Sequence, residues 1–217
     1  MKIGILTSGG DCPGLNAVIR GIVLKGSEAY GFDFVGFKHG WRGVVEGSFI
    51  PLAEEHVRFL ANQGGTILGS SRTNPYEGPF GGPENIKRMM LKHGIDAIIA
   101  IGGEGTLTAA RRLSEEGINI VGVPKTIDND IQETDYSFGF TTAVEIATDA
   151  LDRIRTTAES HDRCIIVEVM GRHAGWIALH AGMAAGANAI LIPEHPVSLG
   201  QIAEWALEVR DRGSAPV

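Results

Sequence analysis

Six short apolar runs, at 2–7, 34–37, 97–101, 118–123, 164–169 and 189–192, alternate along the chain with segments whose apolar residues recur at helical spacing, at 15–30, 84–93, 106–116, 141–156, 174–185 and 199–212. This alternation constrains the fold more than any other feature. A strand with one wet face alternates apolar and polar residues, whereas a run such as Ala97-Ile98-Ile99-Ala100-Ile101 is apolar on both faces and belongs inside a sheet covered on each side. Strands of that kind separated by helices predict βαβ units and a doubly wound α/β fold with a parallel sheet. Gly94 and Gly117 follow two of the helical segments directly and are expected to end them in left-handed C-caps.

Between these periodic segments, 62–83 is rich in Gly, Ser, Asn and Pro, and its length predicts a functional loop rather than a turn. After 199–212 come Gly213-Ser214-Ala215-Pro216-Val217, where a further strand is expected, so the sequence reads as C-terminally truncated. The expected organisation is a nucleotide-binding α/β domain at 1–138 and an incomplete second Rossmann-like domain at 139–217.

With 19 Lys and Arg against 26 Asp and Glu, the formal net charge is -7. That balance argues against nucleic acid or an anionic membrane as partner, and it leaves phosphate binding to a few local cations. Cys12 and Cys164 lack metal-ligand spacing and are expected to be reduced thiols. Lys2 to Thr7 is strand-like rather than a secretory leader, and His180, Asn188 and several glycines make 175–193 a poor bilayer span, so the chain reads as cytoplasmic.

Chemistry-bearing residues concentrate where strands end. The first strand runs into Thr7-Ser8-Gly9-Gly10-Asp11, followed by a helix; this is either a phosphate cradle or a tight βα turn. Gly102-Gly103-Glu104-Gly105-Thr106 repeats the arrangement, with one carboxylate between glycines that suits a magnesium ion shared with nucleotide phosphates. Gly69-Ser70-Ser71-Arg72 places a guanidinium in the irregular loop, and Arg163 and Arg172 flank 164–169; their planar forks suit phosphoryl oxygens. Pro124-Lys125-Thr126-Ile127-Asp128-Asn129-Asp130 sets two carboxylates, a hydroxyl and an ammonium at one strand end, where open α/β sheets bind ligands.

Taken together and in this order, those motifs with Met170-Gly171-Arg172 resemble the 6-phosphofructokinase family. The resemblance covers the whole chain. It implies transfer of the γ-phosphoryl of ATP to the 1-hydroxyl of fructose 6-phosphate. Gly10, Arg72, Thr73, Gly103, Glu104, Gly105 and Thr106 would hold the nucleotide, and Glu104, where the family commonly has Asp, would hold Mg2+. Thr126, Ile127, Asp128, Arg163, Met170, Gly171 and Arg172 would contact the sugar phosphate. Asp128 would be the base, with Thr126, Arg72 and Arg172 completing the catalytic set. Gly105 is typical of ATP users, and Lys125 of pyrophosphate users and of a mixed-substrate, ATP-using subgroup of the bacterial type, to which the resemblance assigns the chain with pyrophosphate as the alternative donor. The family also implies a homo-oligomer in which Arg163 reaches a neighbouring subunit. Arg155 and Gly186 match its effector-site pattern, and Lys25 and Asn188 depart from the bacterial form. The competing readings are a lipid or NAD kinase on the same phosphate loops, which Asp128 and Arg172 disfavour, and a catalytically silent regulatory fragment.

Overall fold

Four of the six apolar runs form ladder strands. In the computed structural model, which describes residues 1–217, they lie in a first unit, Met1–Thr126, and the rest of the chain forms a second, Ile127–Val217. The first unit contains β1 (Lys2–Ser8), α1 (Leu15–Tyr30), β2 (Asp33–Phe37), α2 (Trp41–Glu46), β3 (Phe49–Leu52), α3 (Glu54–Val57), α4 (Pro83–His93), β4 (Ala97–Gly102), α5 (Glu104–Glu115) and β5 (Ile120–Thr126). Its strands lie in the order β3-β2-β1-β4-β5. β1 pairs in parallel with β2 and β4, and β4 with β5. Because β1 to β2 and β4 to β5 step in opposite directions, right-handed crossovers put α1 and α5 on opposite faces of the sheet. Ile5 and Leu6, successive residues of β1, therefore point to opposite faces, and both are completely buried. One face forms a core of Leu6, Phe37, Trp41, Ile86, Ile98 and Leu113.

The expected doubly wound sheet is parallel except at one edge, where β3 pairs antiparallel to β2, from Phe34 opposite Leu52 to Phe37 opposite Phe49. Pro51 conceals this strand in the sequence, yet it is tolerated because β3 lies at the sheet edge. β5 also continues through Pro124, Lys125 and Thr126, so the 124–130 motif begins as strand and becomes loop only afterwards. Gly94 and Gly117 do adopt the left-handed conformation behind α4 and α5, with φ of 64° and 87°. Helix and strand are absent from 59–82, as the composition of the long loop predicts.

The second unit contains the two-residue strand β6 (Phe138–Gly139), α6 (Phe140–Ser160), α7 (Trp176–Ala185) and α8 (Leu199–Asp211). Its small core joins α6 to α7 through Leu151, Ala181 and Ala185. Arg155 donates to the carbonyls of Ala185 and Gly186, capping the C-terminal end of α7 where the helix dipole favours a cation. The runs 164–169 and 189–192, expected as strands, form no ladder. A strand is a pairing, and neither run has more than a fragment of one: in 164–169 Ile165 N–H donates to the Pro216 carbonyl at 3.0 Å, in 189–192 Ile192 forms an isolated bridge with His195, and Asn188, just before that run, donates to the Val217 carbonyl at 2.6 Å. An open apolar cavity of about 310 Å³ remains between these segments, α7 and α8, lined by Ile165, Val167, Ile190 and Trp205. No helix is long and apolar enough to cross a membrane.

Candidate functional site

The register of the first unit brings the two glycine motifs together. Ser8 lies opposite Gly102 at the carboxyl ends of β1 and β4, the point where the crossovers diverge and α/β sheets leave a crevice. Gly9 follows β1 with a φ of 91°, a conformation that a side chain would strain. A Cβ at Gly9 would lie 3.8 Å from Lys125 Nζ and 3.9 Å from Thr106 Oγ1, so three predicted segments converge here. Lys125 is buried and donates to the Gly10 carbonyl at 2.8 Å.

Local packing separates the glycines by purpose. A Cβ at Gly102 would come within 2.6 Å of the Thr106 side chain, a sufficient packing reason for glycine there. Gly10 and Gly105 have no atom within 4 Å of an added Cβ and no positive φ, so neither packing nor conformation explains them. Both sit at the crevice, where bare backbone lets a ligand approach closely. Gly103, Glu104, Gly105 and Thr106 form the first turn of α5, whose N–H groups favour an anion.

Glu104 is the exposed first residue of this helix, and the chain contains no cluster of three carboxylate, His or Cys groups that could cage a metal. One carboxylate beside an anion site fits Mg2+, which binds through one or two carboxylates together with substrate phosphates and water.

The long loop supplies the third wall. Gly9 N–H and Ser8 Oγ both donate to the Ser71 carbonyl, and Ser70 Oγ donates to that of Gly9 at 2.5 Å. Ser71 Oγ in turn donates to the His39 carbonyl. These bonds hold Arg72, itself exposed, beside the glycine turn, with Thr73 N–H 3.4 Å from Ser71 Oγ. Asn16, 2% exposed, secures the start of the loop: its amide donates to Gln63 and Gly64 carbonyls and accepts from Ile67 N–H. The sequence reading assigned no role to Ser8, Asn16 or His39; a polar Asn on the apolar face of 15–30 was the available signal.

The remaining candidates lie in the second unit, apart from Thr126, which ends β5. Asp128 is half-buried. Asn129 has a φ of 52° and folds the segment after it: its amide donates to the Asp135 carbonyl, and its oxygen accepts from Ser137 N–H at 2.8 Å. Asn129 is therefore a turn-former rather than a ligand group. An open cavity of about 640 Å³ lies beside the segment, lined by Asp130, Asp135, Tyr136, Trp176 and His180.

Met170 is 73% exposed, and Gly171 has a φ of 145° with the Ala174 carbonyl 2.3 Å from where a Cβ would stand, so only glycine fits. Arg172, φ 54°, follows it. Glu194 accepts the Gly175 N–H at 2.9 Å, and this bond and that to its own backbone hold its carboxyl below the usual range. Arg163 and Arg172 are exposed and enter no ion pair. The donor-side candidates are thus assembled in one place, while the acceptor-side ones are spread over the end of β5 and separate turns.

Comparison with known proteins decides the family. The pattern of the family described as phosphofructokinase matches residues 2–216. The chain belongs to the phosphofructokinase family. It is 59% identical over 217 residues to a pyrophosphate--fructose 6-phosphate 1-phosphotransferase of Amycolatopsis methanolica, covering all of this chain and 63% of that protein. It is also 57% identical over 202 residues to the ATP-dependent 6-phosphofructokinase 3 of Streptomyces coelicolor, covering 93% of this chain and 59% of the relative. Among solved structures, Pichia pastoris phosphofructokinase in the T-state superposes with a TM-score of 0.89 at 36% identity, over 99% of this chain and 25% of that one. The chain thus spans somewhat under two thirds of the length of these curated bacterial relatives.

Proposed function

We propose that the protein is a 6-phosphofructokinase that transfers the γ-phosphoryl of ATP to the 1-hydroxyl of fructose 6-phosphate. The observation that carries the reading is the crevice at the ends of β1 and β4, where Gly10 and Gly105 are bare for no packing reason and the first turn of α5 offers its N–H groups. In this reading 1–138 binds the nucleotide and 139–217 contributes to the sugar-phosphate site. Gly10, Arg72, Thr73 and Gly103 to Thr106 hold the donor phosphates.

Glu104 holds Mg2+ jointly with those phosphates; when bound, the ion neutralises charge that the carboxylate and the phosphates would otherwise set against each other. Asp128 takes the proton of the attacking hydroxyl, oriented by Thr126 and Ile127. Arg72 and Arg172 stabilise the charge on the transferring group, and little covalent chemistry is required of the protein. Met170, Gly171 and Arg172 contact the sugar phosphate, and Arg163 reaches that of a neighbouring subunit in a cytoplasmic homo-oligomer.

Pyrophosphate is the second reading for the donor, favoured by the buried Lys125 at the glycine turn and by the relative from A. methanolica. Open space at Gly105 supports ATP, because an aspartate there would project toward the donor phosphates. A turnover assay on the protein at the length of its relatives, offering ATP and pyrophosphate separately, tests both. Turnover with ATP is expected, and Gly105→Asp should raise the KM for ATP about tenfold through like-charge repulsion. Turnover with pyrophosphate alone would replace the donor, and formation of fructose 1,6-bisphosphate with neither would overturn the function.

A further inference from the structure

Tyr76 lies four residues beyond Arg72 in the long loop, and the core, α5 and the residue that ends α5 hold it at three points. Its ring packs on the buried core of the first unit, the Arg112 guanidinium stacks over it with 3.9 Å to the centroid, and its hydroxyl donates to Glu116 Oε2 at 3.1 Å. Arg112 and Glu116 also approach each other, at 3.6 Å. Burial and the Glu116 carboxylate push the phenol pKa up to about 12, so the hydroxyl remains a donor throughout the ordinary pH range.

The loop beyond Tyr76 is closed on itself: Gly82 N–H donates to the Pro75 carbonyl at 2.8 Å, and Asn74 binds both Tyr76 N–H and Glu77. A closed loop moves as a body. α5 is also a rigid spacer, because the eight residue steps from Glu104 to Arg112 span about 12 Å. One end of this helix carries the anion-binding turn and the other grips the loop that bears Arg72 and Thr73.

We propose that Tyr76 is a positioning residue: clasped by Arg112 and Glu116, it latches the donor loop to α5 and fixes Arg72 relative to the helix N-terminus. Its effect on donor affinity rests on the function proposed above, whereas its effect on the loop does not.

Two variants test the latch without removing the core ring: Tyr76→Phe, which loses the hydroxyl, and Glu116→Ala, which loses its acceptor and the partner of Arg112. Each is expected to raise the rate of tryptic cleavage after Arg72 about fivefold, the factor one hydrogen bond of ordinary strength supplies. Each should weaken MgATP or magnesium pyrophosphate binding in calorimetry by a similar factor, with fructose 6-phosphate affinity and melting temperature nearly unchanged; a merely structural role would lower the melting temperature and spare the donor. Glu116→Gln retains an acceptor oxygen and should restore most of the protection. Unchanged cleavage after Arg72 in both Tyr76→Phe and Glu116→Ala would overturn the latch. If the wild-type chain binds neither donor, the functional reading fails while cleavage still decides the latch.

Discussion

The run 97–101 in the first unit lies between β1 and β5 and buries Ile98 and Ile101 completely, whereas the equally apolar run 164–169 in the second has one backbone bond and leaves Ile166 80% exposed. Both have the composition of central strands. Apolarity specifies a need for cover on two faces, while a central strand also requires neighbours at both edges, and those come from elsewhere in the chain. β1 and β5 supply them for Ile98; for Ile166 the tail residue Pro216, bonded to the neighbouring Ile165, supplies only the beginning of one. The same contrast runs through the candidate site, since the glycine turns of the donor side sit at the ends of paired strands, whereas most acceptor-side residues, Thr126 at the end of β5 apart, sit on turns.

Matched truncations give the largest expected difference. Ile98→Ala should cost about 2–5 kcal/mol in denaturant unfolding, as for a fully buried aliphatic side chain. Ile166→Ala should stay within about 0.5 kcal/mol, as for a surface change. Comparable losses at the two positions would erase the distinction between the units.

How much of this could be read from the sequence follows the same line. The helices at 15–30, 84–93 and 199–212 were legible nearly to the residue because their periodicity and end signals are local. β4 was legible as well, being apolar on both faces. β3 was not, since Pro51 masks an edge strand whose existence depends on Phe34 to Phe37 beside it. In the site, the glycine motifs were visible as motifs. What distinguishes Gly102, set by Thr106, from Gly105, set by nothing in the protein, is spatial. Asn16, Ser8 and the Tyr76–Glu116 bond join residues 40 to 63 positions apart, and no spacing rule reaches that far.

Smaller effects sharpen the comparison. Asn16→Ala removes a buried amide that satisfies three backbone groups of the long loop and should cost about 2 kcal/mol. Arg155→Ala, which uncaps α7 in the second unit, should cost only about 1 kcal/mol, because the half-exposed guanidinium acts on one helix end. Equal costs would show that the second unit is held as firmly as the first. The smallest signal belongs to Glu194. Its folded pKa is depressed, so its contribution is present above the unfolded value and lost as pH falls through the folded one. The Gly175 amide resonance should follow that titration with a midpoint below the ordinary carboxylate range, and Glu194→Gln should abolish the shift. A midpoint at the ordinary value would remove the bond from the account.

The most direct test of the proposed chemistry is Asp128→Asn in the protein at the length of its relatives, with turnover and fructose 6-phosphate binding measured on the same preparation. Loss of a general base typically lowers turnover by about a hundredfold or more. Sugar-phosphate affinity should change by no more than about threefold, because the amide keeps the shape and one acceptor oxygen. Near-normal turnover with intact binding would contradict the assignment of Asp128 as the base.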